Sequence, residues 1–410
     1  MKSRNKKEVI NNLLAIGTQD ILTLLIPIVT MPILTRALGI ELYGQYLLFM
    51  AVIVFGHTIV NYGVQYTGVR IISSNLDDRW FIRKEYSEFQ GMRFILLLIY
   101  IAVLSIYVSF FPTYLLNIKN LLLYIVPYLI GYILIGEWFL QGIAQTKLLL
   151  YISLFSKLVN LFVILFIVKE ESDFFIAIIS STWNVFAAGI ITFVLMKIKY
   201  NLVLCSFNNV KKKFSEGRDV FIGLLAPNLY NSIPLIIVGG FANQRDFSEY
   251  ALASRVCSII YIFQEVLSKS LFPVLSRLKN KKLNLLFLVN NSVSISSFFF
   301  MVFFGSDVIE LFLGVKFDSE FYIIILSFSL IFSGLSSAIS KGYFLPNGYD
   351  NIYKKISIRV SVLSALISVA LIYFYGVKGC AMGVFIARFL FFCDYYYAYK
   401  TLGCSEGVVK

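Results

Sequence analysis

The stretch MRFILLLIYIAVLSIYVSFF, Met92–Phe111, carries one charge at its second position and then eighteen uncharged residues in succession. The hydrocarbon core of a bilayer is about 30 Å thick and a helix rises about 1.5 Å per residue, so about 20 apolar residues cross it. Met92–Phe111 meets that requirement, and runs like it recur along the whole chain. Twelve spans are expected, near 11–34, 46–68, 92–111, 121–140, 148–168, 174–196, 219–240, 248–270, 284–304, 321–342, 356–375 and 379–399.

Composition points the same way. The 410 residues are 59% hydrophobic and 14% charged, where a soluble domain is about 25% charged. No core of this chain length would hide so many apolar faces from water. The net charge of +13 is the kind of excess that neutralises nucleic-acid phosphates. Here, however, the cations fall in short loops between apolar runs, where they act as topological anchors, and nucleic acid is not an expected partner.

Counted over alternate loops, Lys and Arg split 27 to 6, the minor set being Arg36, Lys119, Lys169, Arg245, Lys316 and Lys378. The majority side is cytoplasmic by the positive-inside rule and includes both termini. That count assigns Arg93 to the loop before the third span and leaves Lys157, Arg255 and Arg388 inside the membrane. The first apolar run follows a basic start, but Pro27, Pro32 and the lack of an A-x-A-like site read as a retained helix rather than a cleaved signal. The five cysteines form no CxxC pair, so neither a disulfide framework nor a metal site is expected.

Three short matches recur at nearly one offset. YGQY (Tyr43–Tyr46) faces FSEY (Phe247–Tyr250) at 204, VRIISS (Val69–Ser74) faces PVLSRL (Pro273–Leu278) at 204, and GEWFLQG (Gly136–Gly142) faces GYFLPNG (Gly342–Gly348) at 206. The offset spans six helices, an even number, so the halves share one orientation: a parallel repeat with a cavity expected between two bundles. The expected fold is an all-α integral membrane protein with an N-terminal six-helix lobe at 1–200 and a C-terminal six-helix lobe at 201–410. Pro27, Pro32, Pro227 and Pro234 interrupt the first and seventh spans, where a kinked helix would line the cavity; proline is also simply commoner in membrane helices.

The run RALGIELYGQY, Arg36–Tyr46, resembles the signature after the first helix of the Wzx-type polysaccharide flippases, O-antigen and capsule-unit translocases of the MATE-like MOP superfamily. GEWFLQGIAQTK (Gly136–Lys147), FLGVKFDSEF (Phe312–Phe321) and GVKGCAMG (Gly376–Gly383) are similar to later landmarks of that family in the same order. The resemblance implies a two-lobed transporter of the bacterial inner membrane. It implies a cargo of undecaprenyl-pyrophosphate-linked oligosaccharide, moved by alternating access through a cavity lined chiefly by the first, second, seventh and eighth helices.

An ionised side chain inside the bilayer costs at least about 2.5–3.5 kcal/mol, so it usually faces a bundle interior or water. On the resemblance, Arg255 in the eighth span is the leading ligand for pyrophosphate oxygens, its fork suited to them. Lys157 shares a polar stripe with Ser153 and Asn160 and reads as a cavity cation or as the partner of a neighbouring helix. Arg36, at the outer end of the first span, is a third cation, for a ligand, a headgroup or a lobe contact. Arg388 reads as snorkelling or pairing locally with Asp394. Asp20, the deepest acid, and His57 are coupling candidates, with a salt bridge and helix packing as their plainer readings; Glu137 and Glu265 lie near inner helix ends. Asn61, Gln65, Asn228 and Asn231 offer hydrogen bonds to sugar hydroxyls, or between helices.

A multidrug or cation antiporter of the same superfamily is the nearest rival, and would want an acid-rich cavity. A membrane-embedded polysaccharide polymerase would need a large external loop bearing acid, base or metal ligands, and the longest outward loop is about 16 residues, near 305–320. No enzyme activity, cofactor or ATP-binding loop is expected; membrane lipid and polymerase machinery are the further expected partners.

Overall fold

The computed structural model describes the backbone of residues 2–111, 117–275, 282–313, 320–344 and 349–407. Side chains are described for 25–111, 117–264, 287–288, 290–307, 310, 320–344, 349 and 351–402. Asp20, Glu265 and Lys316 lie outside the described side chains, as do the second partner of the VRIISS match and the end of GYFLPNG.

The described residues are helical, with no strand. In order they form α1 (Lys2–Asn61), α2 (Val64–Ser73), α3 (Arg79–Phe110), α4 (Ile118–Asn120), a π turn (Leu121–Ile125), α5 (Val126–Ile135), α6 (Glu137–Gly142) and α7 (Thr146–Phe166). A 3-10 turn (Glu171–Asp173) leads to α8 (Phe174–Tyr200), α9 (Val210–Leu225), α10 (Asn228–Phe241), α11 (Gln244–Leu275), α12 (Lys282–Leu313), α13 (Glu320–Ile339), a second π turn (Ser340–Phe344) and α14 (Asp350–Gly407). Among these residues seven helices are long and apolar enough to cross a membrane, or eight if α9 and α10, bent by 66°, make one span.

The two longest helices each turn at a glycine. Gly39 (φ 72, ψ 170) bends α1 and Gly376 (φ 57, ψ −129) bends α14, backbone states that cost a side chain about 1–2 kcal/mol and glycine little. Large apolar groups stay uncovered along the helices, among them Phe110 (76% exposed), Ile198 (78%) and Tyr373 (84%). Such a surface matches a lipid solvent and not an aqueous one.

By contact the chain forms two compact units, Met1–Leu42 with Phe49–Leu225, and Tyr43–Leu48 with Ala226–Lys410. In the first, α5 and α8 approach through glycines: a Cβ on Gly189 would overlap the Gly131 carbonyl oxygen. Small residues at such a crossing let backbones approach, which is what holds helices together where lipid removes the hydrophobic drive. Residues 201–225 sit with this unit because of a buried ionic clasp. Lys213 Nζ of α9 lies 2.7 Å from Glu85 and 3.7 Å from Glu88 of α3, and 3.1 Å from Glu216. Asn209 donates to Glu88 Oε1 (2.8 Å), the Ser206 amide donates to the Ser87 carbonyl (2.8 Å), and Tyr62 stacks on Phe221 at 4.3 Å.

In the second unit Ser294 Oγ joins three helices, accepting from Gln264 of α11 (2.6 Å) and lying 3.2 Å from the Leu330 carbonyl of α13, on its own α12. The segments YGQY and FSEY, aligned by the repeat, pack on each other here. Gly44 lies so close to Ser248, its aligned counterpart, that a Cβ would overlap the Ser248 hydroxyl.

Candidate functional site

The first unit buries a polar cluster that begins with a broken helix. Gly136 (φ 56) ends α5 and stops the Ile133 carbonyl from finding its helical donor. Two side chains of α3 take its place: Gln90 Nε2 donates to Ile133 O at 2.8 Å and Arg93 Nη1 at 3.2 Å. Arg93 Nη1 also donates to Gln90 Oε1 (3.0 Å), and the guanidinium lies over the Tyr132 ring at 4.8 Å. A cation at the C-terminal end of α5 is also where the helix dipole favours one.

Arg93 is therefore a buried cap, 1% exposed, and not the loop anchor that the Lys and Arg count made of it. The 32 residues of α3 extend about 48 Å, longer than the hydrocarbon is thick. Its first turns thus pack polar groups under α5 and α6, a fact that hydropathy averages away.

Around this cap stand three sequence candidates. His57 of α1 lies edge-on to Tyr132, ring centres 3.6 Å apart. Glu137, one residue past the break, is near enough for the charges of Arg93 and Lys157 to act on it. Lys157 is half-buried on α7, and Asn160 of its stripe turns to α8, donating to Ser181 (3.0 Å) and Ser180 (3.3 Å). Asn61 is buried, and its Oδ1 has no hydrogen-bond partner among the described residues. Gln65 is half-buried beyond the Tyr62–Gly63 turn, and Arg36 is exposed just before the Gly39 bend.

In the second unit Arg255 is half-buried on α11, within electrostatic reach of Tyr43. Among the described residues its guanidinium makes no ion pair or hydrogen bond; only its carbonyl is engaged, by Ser258 Oγ at 2.7 Å. Asn228 Oδ1 accepts from Ser232 (2.9 Å) within α10, while Asn231 is exposed.

Two cavities of this unit differ in sign. One, about 170 Å³, is lined by Arg388, Lys341, five serines and four tyrosines from α10, α11, α13, the second π turn and α14. The other is about 810 Å³ and carries Asp246, Glu249 and Glu320 against Lys378. Asp394 does not serve Arg388, so of the two readings of Arg388, snorkelling or local pairing, the pairing one does not hold. The Asp394 carboxylate is held by Arg359, 35 residues away on the half of α14 before the Gly376 bend, through Nε at 3.1 Å and through Nη2. Spacing along one helix missed this because the Gly376 bend folds α14 back on itself.

The family described as polysaccharide biosynthesis protein matches residues 9–279, most of the chain. The chain belongs to that family. This member is 24% identical over 373 residues to a protein named for O-antigen transport in Shigella dysenteriae, covering 89% of this chain and 93% of that one. Its fold follows the solved lipid II flippase MurJ in an inward closed conformation (TM-score 0.70, 17% identity, 95% of this chain and 87% of that one). It also follows an inward-facing multidrug transporter of the MATE family and MOP superfamily (TM-score 0.68, 13% identity, 95% and 96%). The MATE-like fold that the sequence landmarks implied is thus the fold of this family member.

Proposed function

We propose that this protein is a flippase for lipid-linked oligosaccharide units of a surface polysaccharide. The observation that carries the reading is Arg255: a half-buried cation on α11, with no carboxylate on it among the described residues. Such a charge is retained when a ligand supplies its counter-ion, and an anionic lipid head does so. Family membership and the relative named for O-antigen transport support the cargo class.

The finer proposal is twelve spans in two six-helix lobes, 1–200 and 201–410 as the sequence divides them. The glycine bends of α1 and α14, each of which would make two spans of one helix, support it, as does the contact between Gly44 and Ser248, which the sequence offset aligns. The head group of an undecaprenyl pyrophosphate carrier would enter from the cytoplasmic side of a bacterial inner membrane, with Arg255, Lys157 and the outward-lying Arg36 as its proposed ligands. Alternating access would then expose it outside for polymerase machinery. An inside-negative potential favours outward movement of negative charge by about 2.3 kcal/mol per charge per 100 mV.

The test uses cells lacking this gene within an otherwise intact surface-polysaccharide pathway. Lipid-linked units are expected to accumulate on the cytoplasmic face, and wild type, but not Arg255→Ala, to restore export. Rescue by Arg255→Ala removes the site assignment and keeps the flippase. Normal export without the gene favours the multidrug or cation antiporter of the same fold.

A further inference from the structure

The Arg388 cavity takes no part in the binding set above, and Arg388 reads from sequence as a bystander. Its guanidinium donates through Nη1 to Ser329 (2.7 Å) and lies over the Tyr261 ring (5.5 Å). The one carboxylate close in sequence, Asp394, is engaged by Arg359. A hydroxyl and a ring face orient the cation without neutralising it, so the charge stays available in a region of low dielectric.

We propose that the cavity between α10, α11, α13 and α14 is an anion subsite for one phosphate or carboxylate group of the glycan-lipid cargo. Arg388 and Lys341 supply its cations, and the cargo identity rests on the flippase reading above. Three observations converge on it. The lining has two cations and no carboxylate among the described residues. It is also rich in serine and tyrosine hydroxyls, of which Ser336 and Ser340 donate to helix carbonyls and Ser357 bonds Tyr395, while a hydroxyl such as that of Ser333 can turn its proton toward an anionic oxygen. The volume of about 170 Å³ is below the roughly 300–1,000 Å³ of sites that enclose a whole small molecule, so it suits one group of a larger cargo.

The third observation is the field along the unit. The 14 residues of α10 run from Pro227 and Tyr230 at this cavity to Phe241 at the acidic recess, about 21 Å away. An anion is drawn to the Arg388 end, while the other end sets three acids, Asp246, Glu249 and Glu320, against Lys378 and against Arg245, which lies 3.5 Å from Glu249. On the orientation given by the Lys and Arg count, the attracting end is the cytoplasmic one. The subsite therefore favours loading on the side where the cargo is made and offers no second anion trap at the side of release.

The experiment is thermal unfolding and titration of the purified full-length protein in nanodiscs at constant ionic strength, with inorganic pyrophosphate, glucuronate and glucose as probes. Pyrophosphate or glucuronate is expected to raise the unfolding midpoint of wild type, and glucose to leave it unchanged. Arg388→Gln should weaken the anion by about tenfold or more in Kd, and Arg388→Lys by less. Should Arg388→Gln not fold, Arg388→Lys and Lys341→Gln carry the comparison. A response to pyrophosphate alone assigns the group to the carrier diphosphate, and one to glucuronate alone to an acidic sugar. No response to either anion, an equal response to glucose, or equal binding by wild type and all variants overturns the proposal. Normal export in cells lacking the gene, alongside intact anion binding, would remove the flippase reading and leave the anion site standing.

Discussion

Two buried cations on or against α3 show what a charge needs in order to be tolerated here. Arg93 is held by carbonyl and amide acceptors at the end of a broken helix, Lys213 by three carboxylates. Removing one partner of a buried pair typically costs about 3–5 kcal/mol, because the other charge is left uncompensated, whereas neutralising the whole group is often tolerated. Lys213→Met is therefore expected to lower the unfolding midpoint in detergent substantially, and Lys213→Met with Glu85→Gln and Glu88→Gln to recover most of the loss. A single variant as stable as wild type would mean that the clasp does not hold α9 to α3.

Among the elements, glycines decide where helices end and how closely they meet. Gly39 combines a positive φ with an extended ψ, and a Cβ there would lie 3.2 Å from Glu171 Oε1. Gly39→Ala should cost about 1–3 kcal/mol of stability, the usual penalty for a strained backbone state. Gly223, inside α9, is the matched control: nothing lies within 4 Å of a Cβ there, so Gly223→Ala should be neutral or stabilising by up to about 1 kcal/mol. Thermal unfolding of the two variants side by side checks the pair, and equal effects would show that the Gly39 bend is not a conformational requirement. The sequence showed a glycine at each place and could not separate them, since φ is set by where the flanking helices must go.

For the whole molecule, orientation is the property that sequence predicts most directly and that a bundle of helices alone leaves open. Positive-inside counting puts the 69–93 loop in the cytoplasm and the Lys169–Asp173 turn outside. Asn75 and Ser172 are both exposed, so each suits a single-cysteine probe in a background without the native cysteines. In spheroplasts a membrane-impermeant maleimide should label Ser172→Cys at once and Asn75→Cys only after permeabilisation. The reverse pattern would invert the topology and place the Arg388 cavity at the outer end.

The sequence by itself determined the solvent, the helical class and the family resemblance, because each is written in local composition or in short motifs. Hydropathy over about 20 residues is a property of the segment alone, and the family landmarks are short motifs such as YGQY. Only the tertiary structure decided which charges are partnered. Arg93 is a cap because Gly136 breaks a helix some forty residues on. Arg388 lacks its neighbour Asp394 because α14 folds back and brings Arg359 to that carboxylate. Partnership depends on which helices meet and at what depth, and Coulomb and hydrogen-bond energies act over a few ångströms of space rather than over positions in the chain.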